Sequence, residues 1–443
     1  MTVTENPFLA GNYAPVREER TETDLVVDGA VPADLRGRFL RIGPNPFTDP
    51  VGPYHWFLGD GMVHGVELGG GAARWYRNRW VRTDEIARAL GETPVSGPTP
   101  PSYDASNTHV VGHAGRIYGL TEGCVPYELS PTLETVRRVD FGGPLPSGFT
   151  AHPKVDPVTG EMHGFAYWFA EPYLTYYVVD ASGALVRSEP ITIPRAVMMH
   201  DFAISREHVL FFDLPVVFDL EVQPFPFRWD DDTPARIGVM PRGGGDADVQ
   251  WIDIDPCYVF HPMNAYDDAG AVVVDVPKYE TMMKHSRVGP NDGALPALER
   301  WTIDLAAGKV RTERVDERGQ EFPRVNESLL GSRHRYGYAV ELVDTRDAFD
   351  SARYLKHDFA AGTTAEHDFG PGRYPSELVF VPSSEASSED DGWLIGYVYD
   401  AATDRSDLVI LDAHDFGAAP VATVHLPARV PFGFHGSWIP DSR

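Results

Sequence analysis

Cysteine and basic side chains are both scarce in this 443-residue chain, and each shortage argues against a class of protein. Only Cys124 and Cys257 are present, which is too few for a disulfide-stapled secreted scaffold, a cysteine-ligated zinc site or an iron–sulfur cluster. Lys and Arg number 38 against 65 Asp and Glu, so the formal net charge is -27 at pH 7. We therefore expect no nucleic-acid partner, because phosphate contacts require a basic face.

Long apolar runs and nucleotide-binding motifs are missing as well. No apolar run approaches the roughly 18–20 residues of a membrane-spanning helix, and the N-terminal segment lacks the basic and apolar regions of a signal peptide. These features predict a cytoplasmic protein. Also absent are a Walker-type phosphate loop, a dinucleotide fingerprint, an HExxH helix and a GxSxG elbow. An enzyme with this sequence is expected to use neither a nucleotide cofactor nor a serine nucleophile.

Helical periodicity is confined to two short stretches, Thr83–Leu90 and Asn326–Leu330. Elsewhere, short β-branched and aromatic runs alternate with turn residues, as in MHGFAYWF before LTYYVVD and GWLIGYVYD before DLVILD. So many short strands predict an all-β fold with more strands than a simple sandwich. A β-propeller, which repeats four-stranded blades of roughly 40–50 residues, fits this pattern, although no clean sequence repeat of that period is visible.

No change in composition marks a domain boundary, so a single domain over residues 1–443 is expected. The Pro/Gly-rich stretch Gly91–Ser106 is interpreted as a long surface loop between blades. The stretch Pro215–Trp229 is unusually aromatic for a loop. A packed cap over the core is the preferred interpretation. The alternative is a hydrophobic rim that admits an apolar substrate or contacts a membrane surface.

Four of the sixteen histidines share a local pattern, in which an apolar or aromatic strand end precedes the histidine and a turn-forming residue follows it. They are His152, His200, His261 and His435. Their spacings are 200 − 152 = 48, 261 − 200 = 61 and 435 − 261 = 174, and the first two correspond to about one blade each. One histidine per blade would converge on the propeller axis, where imidazole can bind iron, zinc or copper. For any single histidine taken alone, an ordinary buried, hydrogen-bonded residue is the favoured interpretation.

Three glutamates beside apolar strand segments could support such ligands: Glu122, Glu321 and Glu377. A metal-bound imidazole usually donates its second N–H to a carboxylate or a carbonyl. Surface ion pairing is the alternative role, and the spacing of the glutamates alone favours it.

Nine segments that include these residues resemble the carotenoid cleavage oxygenases. This family contains carotenoid dioxygenases, lignostilbene and isoeugenol cleavers, and a retinoid isomerohydrolase. The resemblance extends over nearly the whole chain, and nine motifs in the same order argue against a chance match. In chain order the segments are GRFLRIGPNP (Gly37–Pro46), WFLGDGMVHGVEL (Trp56–Leu68), NTHVVGHAGRIYGLTEG (Asn107–Gly123), FTAHPKVDPVTGEM (Phe149–Met162), MMHDFAIS (Met198–Ser205), FHPMNAYDD (Phe260–Asp268), EFPRVN (Glu321–Asn326), YPSELVFVP (Tyr374–Pro382) and VPFGFHGSW (Val430–Trp438).

The resemblance implies a seven-bladed β-propeller in which loops and short helices cap an axial non-haem Fe(II). It assigns the metal ligands to His152, His200, His261 and His435. It also implies that Glu122, Glu321 and Glu377 support three of these ligands, while His152 has no such glutamate. Cleavage of an alkene into two carbonyls is a four-electron oxidation, which balances the four-electron reduction of O2. No external reductant is then needed, in agreement with the missing nucleotide motifs.

The substrate class depends on Thr121. By the same resemblance, stilbene and phenylpropenoid cleavers carry a lysine at this position, where it holds the phenolic oxygen of the substrate together with a nearby tyrosine. Thr121 therefore favours a carotenoid or apocarotenoid over a stilbene-like substrate. Two other classes remain as alternatives. A propeller hydrolase or lactonase would hold its cation mainly with oxygen ligands, and a non-catalytic propeller would be expected to have lost its axial residues.

Overall fold

The computed structural model describes residues 6–101, 103–285, 294–343 and 350–441. Strands account for 48% and helices for 5% of the structure, which confirms the predicted all-β class. Both predicted helices are present and short. One is α1, Asp84–Ala89, where the Thr83 hydroxyl accepts a hydrogen bond from the Ile86 amide at the N-cap. The other is a 3₁₀ turn at Glu327–Leu329. Further 3₁₀ turns are Pro7–Leu9, Gly11–Tyr13, Trp56–Leu58 and Asp246–Asp248.

The strands of the described residues are short and mostly joined by tight turns. The predicted hairpins are found at Met162–Tyr167 with Leu174–Val179 and at Gly392–Asp400 with Arg405–Asp412. In chain order the strands are β1 Arg20–Glu22, β2 Val26–Gly29, β3 Gly37–Pro44, β4 Gly61–Gly69, β5 Ala72–Trp80, β6 His109–His113, β7 Arg116–Leu120, β8 Tyr127–Leu129, β9 Thr135–Arg138, β10 Lys154–Val155, β11 Met162–Tyr167, β12 Leu174–Val179, β13 Leu185–Ile191, β14 Ala203–Ile204, β15 His208–Asp213, β16 Val216–Phe218, β17 Phe227–Trp229, β18 Ala235–Pro241, β19 Gln250–Ile254, β20 Tyr258–Val259, β21 Asn264–Asp268, β22 Ala271–Tyr279, β23 Ala297–Asp304, β24 Lys309–Arg324, β25 Tyr336–Val343, β26 Asp350–Asp358, β27 Thr363–Asp368, β28 Arg373–Pro382, β29 Gly392–Asp400, β30 Arg405–Asp412, β31 Ala422–His425 and β32 Gly436–Pro440.

The chain divides into two compact units. The first comprises Met1–Gly148, Ser351–Lys356 and Thr364–Arg443, and the second comprises Phe149–Asp350 and His357–Thr363. Sheets of the first unit have the orders β1-β5-β4-β3-β32, β6-β7-β8-β9 and β2-β31-β30-β29-β28. The last strand of the chain therefore pairs with β3, and the early strand β2 pairs with β31. An apolar cluster that includes Phe39, Ile395 and Val424 packs in this unit.

The second unit contains the sheets β10-β11-β12-β13 and β14-β15-β18-β19, together with the hairpin β16-β17. The hairpin lies within the aromatic stretch Pro215–Trp229. Its backbone bonds to the segment before His200, because the Met198 amide donates to the Val216 carbonyl at 2.7 Å. Phe227 and Trp229 are buried, whereas Leu220 at the tip is 59% exposed. The stretch is thus mostly packed against the protein, as the preferred interpretation predicts, with an apolar side chain left at its tip.

A longer sheet has the order β20-β22-β23-β24-β25-β26-β27, and β21 also pairs with β22. Its central strand β24 changes partner along its length. Residues up to Gly319 pair with β23, whereas Gln320 and the residues that follow pair with β25. The eight strands therefore form two groups of about four, joined through one 16-residue strand.

Within the described ranges, we find no helix with the length and apolar character needed to cross a membrane.

Candidate metal centre

Each of the four predicted histidines lies just before an edge strand of a different sheet. His152 precedes β10, His200 precedes β14, and His261 lies between β20 and β21. His435 is followed directly by β32. This shared position explains the local sequence pattern, because the apolar residue before each histidine is buried and a strand begins one to three residues after the histidine.

The imidazoles of the second unit converge. The Nε2 atoms of His152 and His200 are 3.0 Å apart, and those of His200 and His261 are 3.1 Å apart. All three side chains are buried, as is His435. His152, His200 and His261 are therefore among the residues that could hold a metal ion.

The protonation of these rings favours a bound cation. His261 Nδ1 lies 2.6 Å from the Glu321 carboxylate, so Nδ1 carries the proton and Nε2 presents a lone pair. His200 Nε2 faces two other Nε2 atoms and can carry one proton at most. Buried lone pairs that face each other at about 3 Å repel, and a cation shared between them removes the repulsion.

The separations fit ligands that share one metal. Two nitrogens on a metal with bonds of about 2.1 Å lie about 3.0 to 3.4 Å apart. The observed distances are 3.0 and 3.1 Å. An all-imidazole donor set suits iron, zinc or copper better than calcium or magnesium, which prefer oxygen.

Glu321 lies at a β-bulge of β24, where the register with β25 shifts between Glu321 and Arg324. The next residue, Phe322, adopts a left-handed φ of 55°. Bulges redirect a side chain from the plane of the sheet. Here the carboxylate accepts from His261 Nδ1 and, at 3.3 Å, from the Tyr279 hydroxyl. Glu321 therefore lies beside one of the four predicted histidines.

Glu377 occupies an equivalent bulge in β28, where the register shifts between Pro375 and Leu378. Its Oε1 accepts from His435 Nδ1 at 2.8 Å, and its Oε2 accepts from the Gly436 amide at 2.8 Å. Both Glu377 and His435 are buried. One carboxylate therefore orients the imidazole and the start of the strand that follows it.

Glu122 follows β7 in the segment Thr121–Cys124. Its backbone carbonyl accepts a hydrogen bond from the Tyr103 hydroxyl at 3.1 Å. The role of its carboxylate beside a metal ligand stays a prediction.

The Thr121 side chain is buried and serves the backbone around it. Its hydroxyl accepts from the Asn107 amide at 2.7 Å and lies 2.9 Å from the Leu120 carbonyl. The Asn107 side chain in turn donates to the carbonyls of Phe57 and Gly59. Thr121 therefore anchors three chain segments, a role that its position before Glu122 did not reveal.

Lys154 and Asp201 are two charged residues that the sequence reasoning missed. Asp201 Oδ2 lies 4.0 Å from His152 Nδ1 and 2.9 Å from Lys154 Nζ. Burial raises the pKa of Asp201, and the ammonium of Lys154 opposes that rise. The sequence did hold a signal, because both are charged residues within apolar segments. Lys154 follows His152 by two residues, and Asp201 follows His200 by one.

Glu207, His208 and Asp267 form a second group of possible ligands among the described residues. Its Asp267 carboxylate already has partners, because it accepts from His208 Nδ1, the Ser205 hydroxyl and the Glu207 backbone amide. The group is partly exposed and stabilises the turn before β15.

Comparison with known proteins supplies close relatives over the full length. The family model described as retinal pigment epithelial membrane protein matches residues 13–440. The carotenoid cleavage oxygenase of Mycobacterium tuberculosis is 43% identical, over 99% of this chain and 98% of its own length. The carotenoid 9,10(9',10')-cleavage dioxygenase 1 of Arabidopsis thaliana is 33% identical, over 98% of this chain and 90% of its own.

Solved structures show the same fold. The lignostilbene dioxygenase of Pseudomonas brassicacearum matches with a TM-score of 0.88 and 29% identity, over 99% of both chains. A variant of the Synechocystis apocarotenoid oxygenase matches with a TM-score of 0.86 and 28% identity, over 97% of this chain and 98% of that one. A cobalt-substituted form of the latter protein matches with a TM-score of 0.84 and 28% identity, over 96% and 97% of the two chains.

Proposed function

Because this chain belongs to the carotenoid cleavage oxygenase family, we propose that it is a non-haem iron(II) dioxygenase. It cleaves a C=C double bond of an apolar conjugated substrate with O2 and releases aldehyde or ketone products. The convergence of buried imidazoles at 3.0 and 3.1 Å carries this proposal, because a shared cation is what stabilises such an arrangement.

In this proposal His152, His200, His261 and His435 hold the iron. Bound Fe(II) would supply the redox chemistry that activates O2. Glu321 and Glu377 keep the protons of His261 and His435 on Nδ1, so that Nε2 remains a ligand. Glu122 is assigned the same task for a third ligand. Neutral imidazoles leave the charge of the metal uncompensated, and the nearby carboxylates offset it.

The reaction balances without an additional reductant. Conversion of one C=C bond into two C=O bonds removes four electrons from the substrate, and O2 accepts four. The lack of nucleotide motifs in the sequence agrees with this balance. The contribution of the protein is to bind the alkene in a dry site and to hold one double bond near the metal.

The strand pairing supports a seven-bladed propeller that forms one domain over residues 1–443. The two five-stranded sheets, the three four-stranded sheets and the two halves of the eight-stranded sheet make seven blade-sized groups. Within this scheme the pairing of β32 with β3 joins the end of the chain to an early blade.

We assign the substrate to the carotenoids or apocarotenoids. The relative with 43% identity is named a carotenoid cleavage oxygenase, and a buried Thr121 offers no cation for a phenolate. Cleavage of a stilbene or phenylpropenoid is the second candidate, favoured by the lignostilbene dioxygenase among the structural matches.

The setting in the cell is also a proposal. We infer a cytoplasmic enzyme that contacts membranes through the tip of Pro215–Trp229, where Leu220 is exposed. Such a contact would give an apolar substrate a route from the lipid to the protein.

Metal analysis combined with a substrate panel under ¹⁸O2 tests the function. Apocarotenals, carotenes, a resveratrol-like stilbene and isoeugenol are offered to iron-loaded protein, and products are identified by mass spectrometry. We expect ¹⁸O-labelled aldehydes from an apocarotenal or carotene. Protein stripped of metal by a chelator is the control and should yield none. The function is refuted if no member of the panel gives a labelled aldehyde.

A further inference from the structure

A buried ion pair joins two of the chain segments that carry the converging histidines. Lys154 follows His152 by two residues, and Asp201 follows His200 directly. Lys154 Nζ lies 2.9 Å from each carboxylate oxygen of Asp201. The two partners are 47 residues apart in the chain. Lys154 begins β10 and Asp201 lies two residues before β14, and these are edge strands of two different sheets.

Both partners are held firmly. The side chain of Asp201 is 2% exposed and that of Lys154 is 16% exposed. Asp201 Oδ1 also accepts from the Phe202 amide at 2.7 Å, and the ammonium lies 6.0 Å from the centre of the Phe202 ring. A buried pair of this kind contributes little net stability, because desolvation offsets the attraction between the charges. Its effect is on position, since neither charge can move without losing its partner.

The ion pair controls the positions of two candidate ligands, His152 and His200. Asp201 is covalently adjacent to His200, and its Oδ2 lies 4.0 Å from Nδ1 of His152. That distance is too long for a hydrogen bond, so the carboxylate acts on His152 through its charge. Glu321 and Glu377 differ in this respect, because each bonds directly to an imidazole, at 2.6 and 2.8 Å.

We propose that Lys154 and Asp201 form a positioning pair that holds His152 and His200 at metal-binding separation. The proposal rests on the function proposed above. The two Nε2 atoms lie 3.0 Å apart, and the ion pair prevents the two segments from separating. The ligands are then already in place when the metal arrives and remain in place after a single bond breaks, which slows metal release.

The test measures the rate at which cobalt- or iron-loaded full-length protein releases metal to an excess of chelator. Lys154→Met and Asp201→Asn are each expected to release metal about tenfold faster, the lower end of the effect of residues that support metal ligands. The double variant should be no faster than the faster single variant, because both changes break one interaction. The absorption spectrum of the cobalt form should change in all three variants.

Lys356→Met is the matched control. It breaks another buried pair, in which Lys356 Nζ lies 2.6 Å from Asp390 and the side chains are 9% and 4% exposed. We expect a lower unfolding temperature but the wild-type release rate and cobalt spectrum. Lys154→Arg retains the charge and should release metal at nearly the wild-type rate. His261→Ala removes a proposed ligand, so this variant should retain no metal.

If Lys154→Met and Asp201→Asn release metal at the wild-type rate, the proposed positioning role of the pair is overturned. Additive effects of the two substitutions on the release rate in the double variant would also overturn it. If Lys154→Met does not fold, Lys154→Gln replaces it, because its amide can still donate to the carboxylate without carrying a charge. Wild-type protein that binds neither metal stoichiometrically would refute the metal site itself. Metal-binding wild type with unaffected variants would refute only the positioning pair.

Discussion

At the scale of single residues, the candidate metal centre depends on which ring nitrogen carries a proton. Glu321 and Glu377 accept from Nδ1 of His261 and His435, so both rings present Nε2 as a lone pair. The identity of the four histidines and of the glutamates followed from sequence motifs. Their distances did not, because each pair joins residues far apart in the chain, by 60 and 58 positions in these two cases.

Thr121→Lys tests the substrate class at this scale. We predict that it increases kcat/KM for a phenolic stilbene relative to an apocarotenal, because an ammonium before Glu122 can hold a phenolate. The substitution also removes the hydroxyl that accepts from the Asn107 amide. Thr121→Val, which loses the hydroxyl without adding a charge, is therefore the control.

Steady-state kinetics with both substrates distinguishes the two effects. Loss of the hydroxyl alone should reduce stability by about 1 kcal/mol without changing the preference between substrates. A stilbene preference in Thr121→Lys that does not exceed that of Thr121→Val counts against the phenolate interpretation.

At the scale of elements, edge strands and bulges position the site. Each histidine lies just before an edge strand, and two of the glutamates lie at bulges of β24 and β28. The short helix α1 and the hairpins were predictable from capping residues and turn residues, which act within a few positions. The bulges were not, because a register shift depends on the partner strand.

Leu220→Asp tests the tip of the β16-β17 hairpin. Leu220 is 59% exposed, so the change should leave the unfolding temperature nearly unaltered. We predict that binding to phosphatidylcholine vesicles falls on the order of tenfold, since an inserted leucine contributes about 1.5 kcal/mol or more. Cosedimentation with vesicles measures this.

Val158→Asp is the control, because Val158 is 73% exposed and lies in the turn before β11. The Val158→Asp variant should bind vesicles as strongly as the wild type does. Equal binding by Leu220→Asp, or a wild type that does not bind vesicles, would rule out a membrane contact at this tip.

At the scale of the whole molecule, buried histidines make stability depend on pH. Burial lowers the pKa of His163 from 6.5 to about 4 and that of His55 to about 3. A depressed pKa in the folded state means that the unfolded chain takes up protons first as the pH falls. The stabilising effect of the neutral ring is complete above the unfolded pKa of 6.5 and is lost as the pH falls through the folded value.

We therefore predict that His163→Gln weakens the acid sensitivity of the protein. The free energy of unfolding, measured in urea between about pH 7 and pH 5, should fall less steeply than in the wild type. The two slopes should differ by up to about 1.4 kcal/mol per pH unit, which is the largest contribution of one histidine. The introduced side-chain amide would retain an acceptor for the Tyr176 hydroxyl, which now lies 2.6 Å from His163 Nδ1.

His414→Gln is the control, because the His414 side chain is 76% exposed and lies 3.4 Å from the Asp390 carboxylate. It should alter the slope less than His163→Gln does. An equal slope in the His163→Gln variant and the wild type would show that the buried ring does not contribute. Coincident urea transitions by two spectroscopic probes would at the same time support the proposed single domain.

The sequence by itself determined the all-β class, the two short helices, the candidate histidines and glutamates, and the family. These follow from local patterns of apolar, turn and motif residues. Only the tertiary structure decided that the imidazoles of His152, His200 and His261 converge, that Thr121 is committed to Asn107, and that Lys154 pairs with Asp201. The physical reason is that these contacts join residues 14 to 61 positions apart, and the pairing and register of strands, not local propensity, set such distances.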